Sequence, residues 1–176
     1  MATTNWIIDA SHSEIQFKAT HLMINKVTGS FTSFEGTVST EENDFSKAEI
    51  SFKADASSIN TNSEQRDGHL KSGDFFDVEK FPAITFKSTE LAKKGDDFKL
   101  TGELTIKDVT KTVTLDVEFG GIQNDPWGNT KAGFTVTGKI NRKDFGLTWN
   151  AALETGGVLV SEEIKINAEV QLLKQA

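Results

Sequence analysis

The feature that most constrains the fold of this chain is an alternation of apolar and polar residues with a period of two. Residues 47–57 show it most clearly, because every second side chain there is apolar and its neighbours are mostly charged. Successive side chains of a β-strand point to opposite faces, so this segment is predicted to be a half-buried strand. The apolar members are Ala48, Ile50, Phe52, Ala54 and Ala56.

The same alternation recurs along the chain and predicts about eight strands in total. A strand over residues 27–40 has Phe31 and Phe34 on opposite phases, which predicts a bulge between them. The other apolar sets are Ile15, Phe17 and Ala19; Ile84 and Phe86; Phe98, Leu100, Leu104 and Ile106; Val113, Leu115, Val117 and Phe119; Phe134, Val136 and Ile140; and Ile164, Ile166, Ala168, Val170 and Leu172.

Short polar segments with turn residues separate these strands. Turns are predicted at residues 94–97, 108–111 and 125–128, where Gly, Asp and Pro occupy favourable turn positions. Short connections imply antiparallel neighbours. The length of 176 residues suits one domain, residues 1–176, with an all-β fold, either a closed up-and-down barrel or a tight sandwich.

One segment departs from the strand pattern. Thr61 and Glu64 have the spacing of a capping box, residues 65–71 follow as a short helix, and Gly73 is placed to end it. A helix of this length is not stable alone, so we expect it to dock as a lid on one rim of the barrel. The apolar groups available for docking are Leu70, Phe75 and Phe76.

Three glycines, Gly29, Gly102 and Gly138, fall on the inward phase of their strands. Each removes a core side chain, which favours a hollow along the axis, although strand glycines also mark the bulges and coiling that close any barrel. The predicted interior is almost wholly apolar, and such a void takes an apolar guest. The candidate wall residues are Phe17, Phe31, Phe52, Phe86, Phe119, Phe134, Leu147 and Trp149.

The net charge of -7 and the pI near 5.0 argue against nucleic acid or an anionic membrane as the main partner, because both require clustered cations. The chain has no cysteine, and its three histidines lack the spacing of a metal site, so neither a metal nor a cofactor is expected. Residues 1–9 lack the features of a signal peptide. We therefore expect a cytoplasmic protein, or a periplasmic one if a signal peptide has been removed ahead of Met1.

Several specific motifs resemble the YceI-like family over nearly the whole chain. The long central run of residues 66–77 and the run Asn-Arg-Lys-Asp-Phe-Gly of residues 141–146 are the most specific. Asp108 and Lys131 depart from the residues common in this family. The remaining matches are residues 6–9, His12, Ser13, Phe17, His21, Phe81, Pro82, Phe86, residues 104–106, 109–111 and 125–128, Trp149 and Asn150.

The resemblance implies an extended eight-stranded antiparallel lipocalin-like β-barrel whose apolar tunnel binds a long-chain isoprenoid lipid, either a polyprenyl phosphate or an isoprenoid quinone. Carriage, storage or sequestration of that lipid would need no catalytic residue. The resemblance also implies a homodimer. The expected contacts of the lipid are the wall residues above, together with Phe75, Phe76 and Leu104.

Charged residues of the short helix are candidates for the lipid head group. Arg66 and Lys71 would act by charge and His69 by hydrogen bonding. Alternatively, Arg66 and Asp67 pair with Arg142 and Asp144 to fasten the lid.

Two other functions remain open on the sequence alone. One is an enzyme acting on an isoprenoid or other amphiphile at the barrel rim, with His12, His21 and Asp67 as its chemistry. The other is a stress-related interaction module whose lipid is structural.

Overall fold

A computed structural model describes residues 3–21, 24–42, 44–147 and 160–175. These residues form 11 strands in one antiparallel sheet and one α-helix, α1 (Glu64–Lys71). The strands are β1 (Thr3–Ile8), β2 (Glu14–His21), β3 (Asn25–Phe31), β4 (Phe34–Glu41), β5 (Asp44–Asp55), β6 (Ile59–Asn60), β7 (Ala83–Lys94), β8 (Asp97–Ile106), β9 (Val109–Asn124), β10 (Thr130–Asn141) and β11 (Glu163–Lys174).

The strands close into an eight-stranded barrel in the order β1, β4, β5, β7, β8, β9, β10 and β11, because β11 pairs again with β1. Consecutive strands pair antiparallel, which agrees with the short turns. The predicted closed barrel is therefore confirmed, and the alternative of a tight sandwich is wrong.

The barrel is extended at one end because two long strands are broken in the middle. β1 and β2 run in succession along β11, while β3 and β4 run in succession along β2 and β1. A short 3₁₀ turn at Ala10–His12 separates the first pair, and a bend at residues 32–33 separates the second, where a bulge is predicted. The β2–β3 hairpin therefore continues the sheet beyond the closed barrel, alongside the first half of β11.

Two of the three predicted turns form where the local sequence places them. Gly95 and Gly128 lie in two of the predicted turns with φ angles of 64° and 86°, in the left-handed region that glycine tolerates. The turn predicted at residues 108–111 is wrong by one to two residues. It lies at Lys107 and Asp108, and Lys107 takes a φ of 59° while Val109 already begins β9.

The helix α1 docks as the sequence predicts, but its cap differs. Phe75 is buried, and Leu70 and Phe76 pack against the core. The predicted capping box is wrong, because Ser63 is the N-cap and its hydroxyl accepts a hydrogen bond from the Arg66 N–H. Within the described residues, no helix is both long and apolar enough to cross a membrane.

Candidate functional site

The barrel encloses a cavity of about 740 Å³ that runs along its axis. Its wall consists mainly of inward apolar side chains from the barrel strands and from β2 and β3, and it contains few polar atoms. The cavity volume is typical of a site for a small organic ligand. The barrel is therefore hollow, with a wall suited to an apolar guest.

An aromatic cluster closes one end of the cavity. Phe45 lies at its centre, with ring centroids 5.2 Å from Trp6, 5.8 Å from Phe119 and 5.0 Å from Phe134. Phe98 lies 6.4 Å from Phe119. Trp6 is wholly buried, and its indole N–H donates to the Thr40 hydroxyl over 3.2 Å. We call these five aromatic residues the aromatic plug.

Polar groups gather at the opposite end, where α1 covers the cavity. Thr61, Ser63, Gln65, Arg66 and His69 all line this end. The polar and apolar ends therefore match the head group and the tail of an amphiphile.

Arg66 and Asp67 fasten the start of α1 to the loop before it. The Thr61 backbone N–H and hydroxyl donate to Asp67 Oδ1 over 2.8 and 2.5 Å. Arg66 in turn donates to the Thr61 hydroxyl and carbonyl over 2.8 and 2.6 Å. The predicted pairing of these two residues with Arg142 and Asp144 is wrong, because both instead bond to Thr61.

A buried cation, Arg142, also lines the cavity at this end. Its guanidinium donates to the carbonyls of Leu147, Ser161 and Val160 over 2.6, 2.8 and 3.3 Å. Burial lowers the pKa of Arg142, and the nearby Glu162 opposes that shift. Arg142 therefore joins Leu147 to Val160 and Ser161.

Most of the predicted ligand contacts lie on the cavity wall. One of them, His69, also contacts Asp74, with 2.9 Å between His69 Nε2 and Asp74 Oδ2. Two candidates are placed elsewhere: Phe119 belongs to the aromatic plug, and Lys71 is half-buried on α1 away from the wall. Trp149 lies outside the described residues. The predicted residues on the wall are Phe17, Phe31, Phe52, Phe75, Phe76, Phe86, Leu104, Phe134, Leu147, Arg66 and His69.

Many wall residues were not predicted as ligand contacts, among them Phe45, His21 and Arg142. Phe45 was missed because the alternation predicts a strand that begins at residue 47, whereas β5 begins at Asp44. His21 was considered only for catalysis at the rim, and Arg142 only as a partner that fastens the lid. Arg142 could have been found from the specific motif of residues 141–146, since an arginine inside such a motif points to a fixed partner.

The inward glycines do not create the hollow in the way the sequence predicts. A Cβ atom at Gly102 would lie 2.4 Å from the Phe86 ring, and one at Gly29 would lie 2.3 Å from the Phe17 ring. At Gly138 the space is taken by Leu115, 2.3 Å away. Each glycine therefore makes room for a neighbouring side chain to lie flat on the wall, and the hollow lies beyond those side chains.

The rim cluster considered for catalysis does not assemble. His12 precedes β2 and His21 ends it, so a strand about 25 Å long separates them. His12 Nδ1 lies 2.8 Å from Asp9 and 3.2 Å from Ser11 Oγ, so a single ring nitrogen faces both groups. A relay from serine through histidine to aspartate needs both nitrogens, so this arrangement cannot form one.

The Asp9 carboxylate is instead a structural junction. It accepts hydrogen bonds from Ser11 and from Lys131 Nζ, the latter over 3.0 Å. Hydrogen bonds from Ser11 and His12, together with Lys131, hold the pKa of Asp9 well below its usual range. The junction joins the 3₁₀ turn after β1 to β10.

Comparison with known proteins gives one family. A family model described as a YceI-like domain matches residues 6–172. A UPF0312 protein of Staphylococcus aureus (strain MSSA476) is 44% identical over 169 residues, which cover 96% of each chain. The solved YCEI protein of Campylobacter jejuni is 31% identical with a TM-score of 0.77, over 89% of this chain and 90% of that one.

Two more distant structures share the fold. Burkholderia cenocepacia BcnA has a TM-score of 0.80 at 22% identity, over 93% of this chain and 98% of that one. A polyisoprenoid binding domain from Saccharophagus degradans, implicated in plant cell wall breakdown, has a TM-score of 0.68 at 18% identity, over 95% and 97% of the two chains.

Proposed function

Because the chain belongs to the YceI-like family, we propose that it binds a long-chain isoprenoid lipid in its barrel and acts as a carrier, storage or sequestering protein. The observation that carries the proposal is the apolar cavity of about 740 Å³, closed at one end by the aromatic plug and polar at the other. The Saccharophagus degradans domain with the same fold is described as binding polyisoprenoids, which supports this class of ligand.

Burial of the tail supplies enough free energy for tight binding. Each buried methylene group contributes about 0.8 kcal/mol, so a five-carbon isoprene unit contributes roughly 3 kcal/mol before the costs of association. A few units therefore suffice. The largely apolar wall favours a hydrocarbon chain over a compact polar ligand.

The polarity of the two ends orients the lipid. The tail extends toward the aromatic plug, and the head group lies beneath α1, within reach of Arg66 and His69. A phosphate would gain charge-assisted hydrogen bonds from Arg66, whereas a quinone ring would stack or accept single hydrogen bonds. Lys71 does not line the cavity, whereas Arg66 does. We therefore propose that Arg66, and not Lys71, binds the head group by charge.

Native mass spectrometry of the freshly purified protein, followed by organic extraction, tests the binding. We expect one lipid per chain, with masses spaced by isoprene units. The variant Val136→Phe adds bulk on the cavity wall and should reduce lipid occupancy severalfold, because Val136 lines the cavity.

The matched control is Thr137→Phe on the exposed face of the same strand, which should retain the lipid. A chain that is purified without lipid and also rejects added quinones and polyprenyl phosphates would refute the proposal.

A further inference from the structure

The outer surface near the β2–β3 hairpin places lysines opposite lysines. Lys165 on β11 pairs directly with Lys139 on β10 and with Lys18 on β2, so three cations stand in one row across three strands. Lys26 on β3 lies one row further toward the hairpin tip, opposite Thr20. Like charges directly opposite each other destabilise a sheet. We call Lys18, Lys26, Lys139 and Lys165 the basic patch; all four are exposed.

In the other strand pairs of the described residues no lysine faces a lysine, although two acidic pairs, Glu14 with Glu169 and Glu41 with Asp44, do face each other. Lys53 pairs across the strands with Glu35, and Lys87 pairs with Glu103. Lys99 Nζ lies 2.9 Å from Asp116. The basic patch is therefore the one row of the described strands in which lysines face each other, in a chain with a net charge of -7.

Carboxylates do little to neutralise the basic patch. Lys139 Nζ lies 3.9 Å from the exposed Glu163, at the limit of an ion pair. In the part of the chain that the structure describes, no carboxylate lies within 4.0 Å of the ammonium groups of Lys18, Lys26 or Lys165. Lys18, Lys26 and Lys165 line one shallow depression together with a single acidic residue, Glu163. An anionic surface would relieve their mutual repulsion.

The tip of the same hairpin carries an exposed apolar side chain. Ile24 is 82% exposed, two residues from Lys26 of the basic patch. On its other face the hairpin belongs to the cavity wall, through Ala19, His21 and Val27. One structural element thus joins an apolar tip, a cationic flank and the polar end of the cavity.

We propose that the β2–β3 hairpin and the basic patch dock the protein on an anionic lipid bilayer, with Ile24 inserted among the head groups. The inference rests on the proposed isoprenoid function, since docking at this end lets an apolar tail pass between bilayer and cavity without crossing water. The acidic remainder of the chain is repelled by the same surface, so the patch is the face that approaches. An apolar tip flanked by cations suits a bilayer better than a polyanion such as DNA.

Sedimentation with vesicles tests the docking. The probes are vesicles of phosphatidylcholine alone and of equal parts phosphatidylcholine and phosphatidylglycerol. We expect binding to the anionic vesicles, weakening as salt is added. The pair Lys18→Gln and Lys165→Gln should lower the affinity about 25-fold, or about fivefold for each lysine. The control pair Lys53→Gln and Lys87→Gln makes the same change of net charge and should leave binding unchanged.

Two further measurements separate docking from lipid binding. Ile24→Ser should slow transfer of a fluorescent isoprenoid from vesicles while leaving uptake from dilute ethanol intact. A wild-type protein that takes up the isoprenoid from ethanol but never binds anionic vesicles would overturn the docking and leave the proposed function standing. Vesicle binding without isoprenoid uptake would overturn the proposed function instead. Equal binding of duplex DNA, unaffected by Ile24→Ser, would also overturn a bilayer as the partner.

Discussion

Replacing Gly102 by alanine tests how the strand glycines shape the barrel wall. The added Cβ would lie 2.4 Å from Cζ of Phe86 and 2.6 Å from the backbone carbonyl oxygen of Lys87. The Phe86 ring borders the cavity and has room to move, but the carbonyl belongs to β7 and cannot shift without disturbing its pairing with β8. Gly102→Ala therefore forces a backbone displacement.

The cost follows from the nature of that contact. Overpacking of a folded core typically costs 1–3 kcal/mol, and we expect about 2 kcal/mol here. For a chain of this size that corresponds to a fall in Tm of roughly 4–8 °C. Gly29→Ala and Gly138→Ala should cost less, because their closest contacts are the ends of the Phe17 and Leu115 side chains, both of which border the cavity.

Thermal and urea unfolding followed by circular dichroism would measure these differences. The matched control is Gly133→Ala in β10, where the new Cβ meets nothing within 4 Å. That variant should equal the wild type or gain up to about 1 kcal/mol from the lower entropy of its unfolded chain. If Gly102→Ala proves as stable as Gly133→Ala, the space above Gly102 is open and the reasoning fails.

Two other predictions concern the lid and the acid response. Thr61→Val removes the hydroxyl that bonds to Asp67 and Arg66 and so loosens the start of α1. A loss of about 1 kcal/mol or slightly more should make the lipid leave roughly five- to tenfold faster. An unchanged release rate in a stopped-flow exchange assay would contradict a fastening role. Because the pKa of Asp9 is lower in the folded chain, its ionised form contributes stability above its ordinary pKa of about 4, and that contribution fades as the pH falls. Asp9→Asn should therefore unfold more easily than wild type in urea at pH 7 and differ less from it near pH 3; a constant difference across that range would contradict the assignment.

The head-group end shows how much of the candidate site was accessible from the sequence. Arg66 and His69 were predicted there from their place in a short helix within a specific motif, and both line the cavity. Lys71 shares that motif but lies on another face of α1. The helical turn separates residues that are close in sequence, so the motif alone cannot say which of them face the cavity.

The strands of the barrel could be predicted because their pattern is local. Alternation with a period of two fixes which side chains face inward, and Gly, Asp and Pro mark most of the turns. That is why about eight antiparallel strands, each with one apolar face, followed from the pattern, whereas the closed barrel rather than a sandwich was implied by the family resemblance. The cap of α1 did not, because Thr61 and Ser63 both have suitable side chains and only the path of the chain selects Ser63.

The surface charge was decided by tertiary structure alone. The net charge of -7 argues against an anionic partner, and Lys18, Lys139 and Lys165 are scattered along the sequence. Strand register brings them into one row, and it sets Lys53 and Lys87 against glutamates instead. The sequence by itself determined which face of each strand is apolar, because that depends only on neighbouring residues. Which charges meet across strands depends on pairing between distant segments, and only the closed sheet decides it.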